Sequence, residues 1–218
     1  MGKTLMSSMA SVLLTLASGW AAANDDAPRP AERLRPGAFV APANLTVLGP
    51  NLLFTAFHAQ SGQELWVTDG SSAKTRLLKD IHPGERSGYP SGLKVHGRHA
   101  YFTATDGKHG LELWRSNGTE AGTRMVADLR NGSEGAMPAE LTVHAGALYF
   151  TANDGTAGVQ LWRVRGADEA PERVSDLPGA ATPRQLTSVG RQLFFTATSA
   201  AHGHGLWVTD GTRTGTRL

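Results

Sequence analysis

Cysteine is missing from all 218 residues, which excludes disulfides and thiolate metal sites and leaves stability to an apolar core. Helix periodicity is missing too. Past the N-terminal segment, apolar residues do not recur at three- and four-residue spacing, and 26 glycines argue further against long helices. Charge is scarce: the formal net charge is +2, the lysines and arginines are scattered, and no basic cluster is interleaved with aromatics. That excludes nucleic acid as an expected partner, because no field draws a polyanion. No Ser-His-Asp order, glycine-rich phosphate loop or HExxH helix is present, so no enzyme motif offers itself. Long hydrophobic runs are absent apart from Met9 to Trp20, which is shorter than the roughly 20 residues of a spanning helix. Lys3 precedes that run and Ala21-Ala22-Ala23 follows it as an A-x-A site, so residues 1–23 read as a secretory signal peptide, with a membrane anchor as the competing reading. Removing them takes away only Lys3 and lowers the net charge from +2 to +1. Residues 24–35 read as a Pro/Ala-rich linker and possible closing strand segment.

Aromatic residues are few, at 7%, but their placement is regular. Tryptophan stands at 66, 114, 162 and 207, in segments reading QELWVTDG, LELWRSNG, VQLWRVRG and HGLWVTDG. Each is preceded at 24 residues by proline (Pro42, Pro90, Pro138, Pro183) and at 21 by leucine (Leu45, Leu93, Leu141, Leu186). At 12 residues stands phenylalanine (Phe54, Phe102, Phe150, Phe195), and at four stands glycine (Gly62, Gly110, Gly158, Gly203). The spacings of 48, 48 and 45 residues mark a repeat array rather than one irregular domain. Within each copy, four short runs rich in aromatic and branched residues are separated by Gly, Asp-Gly or Asn-Gly, as in GLKVH, HAYFTAT, LELWRS and RMVADL. These are strands. The third carries bulk on both faces, which suits a sheet covered on both sides. The expected fold is therefore all-β: a β-propeller-like array of four four-stranded blades at 36–82, 83–130, 131–177 and 178–218. Phe54, Trp66, Phe102, Trp114, Phe150, Trp162, Phe195 and Trp207 are its expected inter-blade core.

At these segments the chain resembles the bacterial ELWxxDGT repeat proteins, which are secreted; the resemblance covers residues 36–218. It implies a propeller-like fold and is almost silent on activity. The third copy departs most, with Val164-Arg165-Gly166 in place of Thr-Asp-Gly and Asp168 to Pro171 in place of the Ala-Gly-Thr turn.

In a four-stranded blade, the loop between strands two and three shares a face with the segment joining one blade to the next. That face receives His58, Asp106, His109, Asp154, His202 and His204, the candidate ligand-binding residues. Their loops vary over strands that do not, and variation on a fixed scaffold is where recognition is usually placed. A histidine metal cluster is the sharper reading. The plainer one, solvated loop histidines, is preferred because the four do not occupy one position in their copies. Asp-Gly pairs at 106 and 154 fit calcium or, more simply, a turn. Neither metal nor cofactor is expected.

Asp80, Asp128 and Asp176 recur near the ends of fourth strands and read as caps of nearby backbone donors, while Glu64 and Glu112 are replaced by Gln160 and Gly205 and leave no repeated carboxylate. The expected function is an exported, noncatalytic binding or surface-interaction module for an extracellular or periplasmic protein or glycan. A secreted glycan-active hydrolase with carboxylates converging from different blades is the alternative. Ala31 to Leu34 align with the strand that Thr216 to Leu218 begin, so a closed four-bladed ring is the preferred arrangement. Closure would give a monomer, and an open edge would self-associate.

Overall fold

A computed structural model describes residues 39–178, 181–199 and 203–218. The segments read as signal peptide and linker, the closing residues Ala31 to Leu34, and His202 lie outside them. The described chain folds as four antiparallel sheets in sequence order, with no α-helix among the described residues. Blade one contains β1 (Phe39–Leu48), β2 (Asn51–His58), β3 (Gly62–Thr68) and β4 (Arg76–Lys79); blade two contains β5 (Ser91–His96), β6 (His99–Ala104), β7 (Glu112–Ser116) and β8 (Arg124–Ala127). Blade three contains β9 (Ala139–His144), β10 (Ala147–Asn153), β11 (Val159–Val164) and β12 (Glu172–Arg173). Blade four contains β13 (Arg184–Val189), β14 (Gln192–Ser199) and β15 (Gly203–Thr209), and its fourth strand begins as a bridge between Val208 and Arg217.

The register explains the repeat. Each phenylalanine lies opposite its tryptophan across the central pair: Phe54 with Trp66, Phe102 with Trp114, Phe150 with Trp162, Phe195 with Trp207. All eight are buried. Leucine before the tryptophan points the other way, because neighbouring residues on a strand face opposite sides. Thus Leu53 and Leu65 of blade one pack with Phe102 and Trp114 of blade two. Tyr101 and Leu113 of blade two pack with Phe150 and Trp162 of blade three, and Tyr149 and Leu161 with Phe195 and Trp207 of blade four. The core is three copies of one seam, each joining a leucine face to a tryptophan face, and a fourth cluster in which Phe54, Ala56 and Trp66 of blade one pack with Phe39, Leu52 and Leu77.

The Thr-Asp-Gly segment is a hairpin lock. Asp69, Asn117 and Asp210 each accept, through one side-chain oxygen, the amide and hydroxyl of the residue two further on. Thr75, Thr123 and Thr216 then bridge back, donating to the carbonyls of Ser71, Thr119 and Thr212 while meeting the hydroxyls of Thr68, Ser116 and Thr209. Gly70, Gly118 and Gly211 stand at φ of +94°, +87° and +89°, a region that favours glycine. Blade three lacks this lock, and its β12 is only two residues long. Its divergent turn reaches back instead: Asp168 accepts from Arg115 of blade two at 3.0 Å.

Innermost strands β1, β5, β9 and β13 neighbour one another in that order. Among the described residues, β13 makes no comparable contact with β1.

Candidate functional site

The loops joining the second and third strands pack against the inter-blade segments. Thr105 donates its amide to Gly88, and Asn153 does so to Ala136. Gly62 and Gly110 leave no room for a Cβ against Arg86 and Gly135. Each of the five described candidate residues, His58, Asp106, His109, Asp154 and His204, is engaged within its own blade. His58 is nearly buried, edge-on to Trp66 with ring centroids 6.1 Å apart, and its Nδ1 accepts the Gln60 amide. Asp106 accepts the amides of Lys108 and His109 and pairs with His109 Nδ1 at 2.8 Å. Burial pushes that carboxyl up, but the two amides and the ring outweigh it and hold Asp106 below its ordinary range. Asp154 is tied to Thr156 and lies 3.8 Å from Arg173; its carboxyl is likewise held low, the Thr156 amide and hydroxyl outweighing burial. His204 is exposed and meets Thr198 Oγ1 at 3.2 Å. Among the described residues, no three His, Cys, Asp or Glu side chains group so as to hold a metal ion.

Two carboxylates that looked merely irregular in sequence turn out to clamp the junctions between blades. Glu64 is fully buried and accepts the amides of Ile81, His82 and Gly88. Glu112 accepts those of Leu129, Arg130 and Ala136. Both residues therefore hold positions 17, 18 and 24 further along the chain. Burial pushes Glu64 up to about 8 against the pull of its three amides, with Asp80 adding like-charge repulsion, and burial raises Glu112 in the same way. Asp80 caps the Gly84 amide, whereas Asp176 pairs with Arg173 and Arg213.

A cavity of about 600 Å³ lies among the inner strands of blades one to three. None of the five described candidate residues lines it. Each inner strand is irregular at the residue before its repeated leucine, where Asn44, Gly92, Glu140 and Gln185 stand at φ of +53°, +66°, +59° and +58°. Two residues on, Thr46, Thr142 and Thr187 bond the carbonyls of Asn44, Glu140 and Gln185. Blade two alone departs at both positions. Gly92 offers no side chain, and a Cβ there would meet only open space. Lys94 replaces the threonine, is exposed, and makes no hydrogen bond or ion pair among the described residues. Glu140 is the one carboxylate in the lining among the described residues and already accepts the Gln185 backbone amide at 2.8 Å. The signal was present in the sequence, as Gly and Lys set against Asn/Glu/Gln and Thr, but it has no meaning until the fold places Gly92 and Lys94 in the wall of a cavity.

No family model matches the chain, and no curated protein matches it. Among solved structures it is similar to a prolyl endopeptidase at 13% identity and a TM-score of 0.54, covering 78% of this chain and 24% of that one. TolB from Acinetobacter baumannii is matched at 13% identity and a TM-score of 0.48, over 79% of this chain and 41% of that one. A xyloglucanase from Xanthomonas campestris is matched at 18% identity and 0.46, over 74% and 25%. The chain spans well under half the length of these structures. The likeness shows the fold alone: an all-β, β-propeller-type array.

Proposed function

We propose that the chain is an exported, noncatalytic binding module that takes its ligand at the inner-strand cavity. The departure of blade two at Gly92 and Lys94 supports this reading. Three blades close their inner strand with a threonine and a longer polar side chain, while the second leaves a gap beside an unpaired ammonium. A concave site with one free cation and the exposed polar edges of inner strands can hold a ligand that carries acceptors, such as a glycan or a peptide. Glycan hydrolysis would need two carboxylates about 5 to 9.5 Å apart across the site, and among the described residues the lining supplies Glu140 alone. Export rests on residues 1–23, and no helix among the described residues is long and apolar enough to cross a membrane.

The test combines a glycan and peptide array with a variant that restores the pattern of the other blades. Gly92→Asn with Lys94→Thr fills the gap with the pair that blade one carries as Asn44 and Thr46, Asn accepting positive φ. The variant is expected to keep the parent's melting temperature and lose binding at least tenfold. Equal binding by a folded variant would move the ligand elsewhere. Cleavage after Ala23, read by N-terminal sequencing of exported protein, checks the address.

A further inference from the structure

Most polar side chains around the inner-strand cavity have already spent their hydrogens. Thr46 donates its hydroxyl to the Asn44 carbonyl, Thr142 to the Glu140 carbonyl and Thr103 to the Pro138 carbonyl of the next blade. Those three oxygens can then only accept, because a hydroxyl carries a single hydrogen. Asn44 gives an amide hydrogen to Thr55, and the Glu140 carboxylate accepts without donating. Two donors stand apart. Ser91 and Lys94 are exposed, line the cavity, and make no side-chain hydrogen bond or ion pair among the described residues. Both belong to β5, which lies between β1 and β9, and Lys94 occupies the repeat position that is Thr46 on one side and Thr142 on the other. The cavity is therefore a positive seat flanked by acceptors.

We propose that the ligand of this cavity is an acidic sugar, a uronic acid unit of a glycan, with its carboxylate on Lys94 and Ser91 and its hydroxyls donating to Thr46, Thr142 and Glu140. The proposal rests on the cavity being the binding site. The inventory of donors favours a sugar over a peptide. A peptide brings a carbonyl with nearly every amide, and each carbonyl taken from water needs a donor, which this lining has few of. A sugar hydroxyl instead rotates its one hydrogen toward the acceptor it meets. The ammonium then selects among sugars: a neutral one leaves Lys94 without a charged partner, whereas a carboxylate makes a charge-assisted bond about twice as strong as a neutral one. Leu45, 44% exposed in the same lining, offers an apolar surface to the C–H face of the ring.

Isothermal titration with three probes tests it: an oligogalacturonate, the same oligosaccharide with its carboxyls reduced to alcohols, and an oligoglutamate of equal charge. The parent should bind the oligogalacturonate about tenfold or more tighter than either of the others, the loss expected when a bond to a charged group is removed. Lys94→Met keeps an aliphatic stem at an exposed position and removes the charge. It should fold like the parent, as circular dichroism verifies, and bind the acidic and reduced sugars alike. A parent that takes the reduced sugar as tightly as the acidic one, prefers oligoglutamate or binds none of the three overturns the acidic sugar. So does a Lys94→Met protein that keeps the preference. Failure of the cavity reading looks different: the Gly92→Asn, Lys94→Thr double variant then binds whatever the parent binds with unchanged affinity. If that variant loses a ligand found on the array while the parent ignores oligogalacturonate, the cavity stands and the acidic sugar falls.

Discussion

Blades one and two close their junction to the next blade with a carboxylate, and blade three closes its own with a carboxamide. Glu64 and Glu112 each face three backbone amides that donate, so a side chain with two acceptor oxygens is what the site asks for. At Gln160 the surroundings are mixed. Its Oε1 accepts the Leu177 amide and the Ser175 hydroxyl, while its Nε2 donates to the carbonyls of Ala157 and Leu177. The same position on the same strand has therefore been matched to two loops. Between the repeated aspartate and proline, the first two loops run from Asp80 to Pro90 and Asp128 to Pro138, and the third, shorter, from Asp176 to Pro183. The shorter loop presents the Leu177 carbonyl as well as its amide, the loop between β10 and β11 adds the Ala157 carbonyl, and a side chain with both donors and acceptors satisfies them.

The junctions act as clamps on a common apolar seam, so removing the seam should cost most. Phe102→Ala is expected to lose about 3 to 5 kcal/mol, read by denaturant unfolding; a change below about 1 kcal/mol would mean the seam is not the shared foundation. Next in size is Glu112→Ala, which strands three amides and should cost about 3 kcal/mol, whereas Glu112→Gln should retain part of that by accepting through one oxygen. The reciprocal exchange sharpens the comparison. Gln160→Glu points a carboxylate oxygen at the carbonyls of Ala157 and Leu177 and should lose about 1 to 3 kcal/mol at neutral pH, recovering in acid as the new carboxyl protonates and can donate. A Gln160→Glu protein as stable as its parent at pH 7 would dissolve the distinction between the two kinds of junction.

Acidity follows from the same contrast. Glu64 sits at about 8 in the folded chain against an ordinary 4.5, so the folded state holds its proton more tightly than the unfolded chain does. The sign is fixed by linkage: this contribution to stability is complete below about 4.5 and is lost as pH rises through about 8. Melting temperature should therefore decline across that window, and Glu64→Gln should flatten the decline. An unchanged slope in that variant would place the titration elsewhere. The smallest expected effect lies in the hairpins. Thr123→Val removes a hydroxyl that reaches both Thr119 and Ser116 and should cost about 1 kcal/mol. Blade three has Val164 and Pro171 at the matching positions and holds together without that pair.

Much of the molecule was legible along the chain. Four copies of one spacing located the strands, the hairpins and the aromatic residues of the seams, because local alternation and turn chemistry are written in neighbouring residues. The lock at Asp69, Asn117 and Asp210 belongs to that class, with its partners two to six residues away. Of the candidate ligand residues, Asp106, His109 and Asp154 lie in second-to-third strand loops, whereas His58 ends β2 and His204 lies within β15, and Asp106 and Asp154 are occupied by their own turns.

What the sequence by itself determined is the unit: a four-stranded blade with a leucine side and a tryptophan side, repeated. What only the tertiary structure decided is the environment of that unit. Glu64 becomes a clamp because a loop 17 to 24 residues away folds its amides onto it, and Lys94 becomes a free cation because the bulged inner strands enclose a cavity beside it. Leu113 and Leu206 share one frame in the repeat, and one is buried while the other is open to solvent. Burial is a property of what packs opposite, contributed here by a blade some 48 residues further along, and no pattern within a single copy can record whether that neighbour is in place.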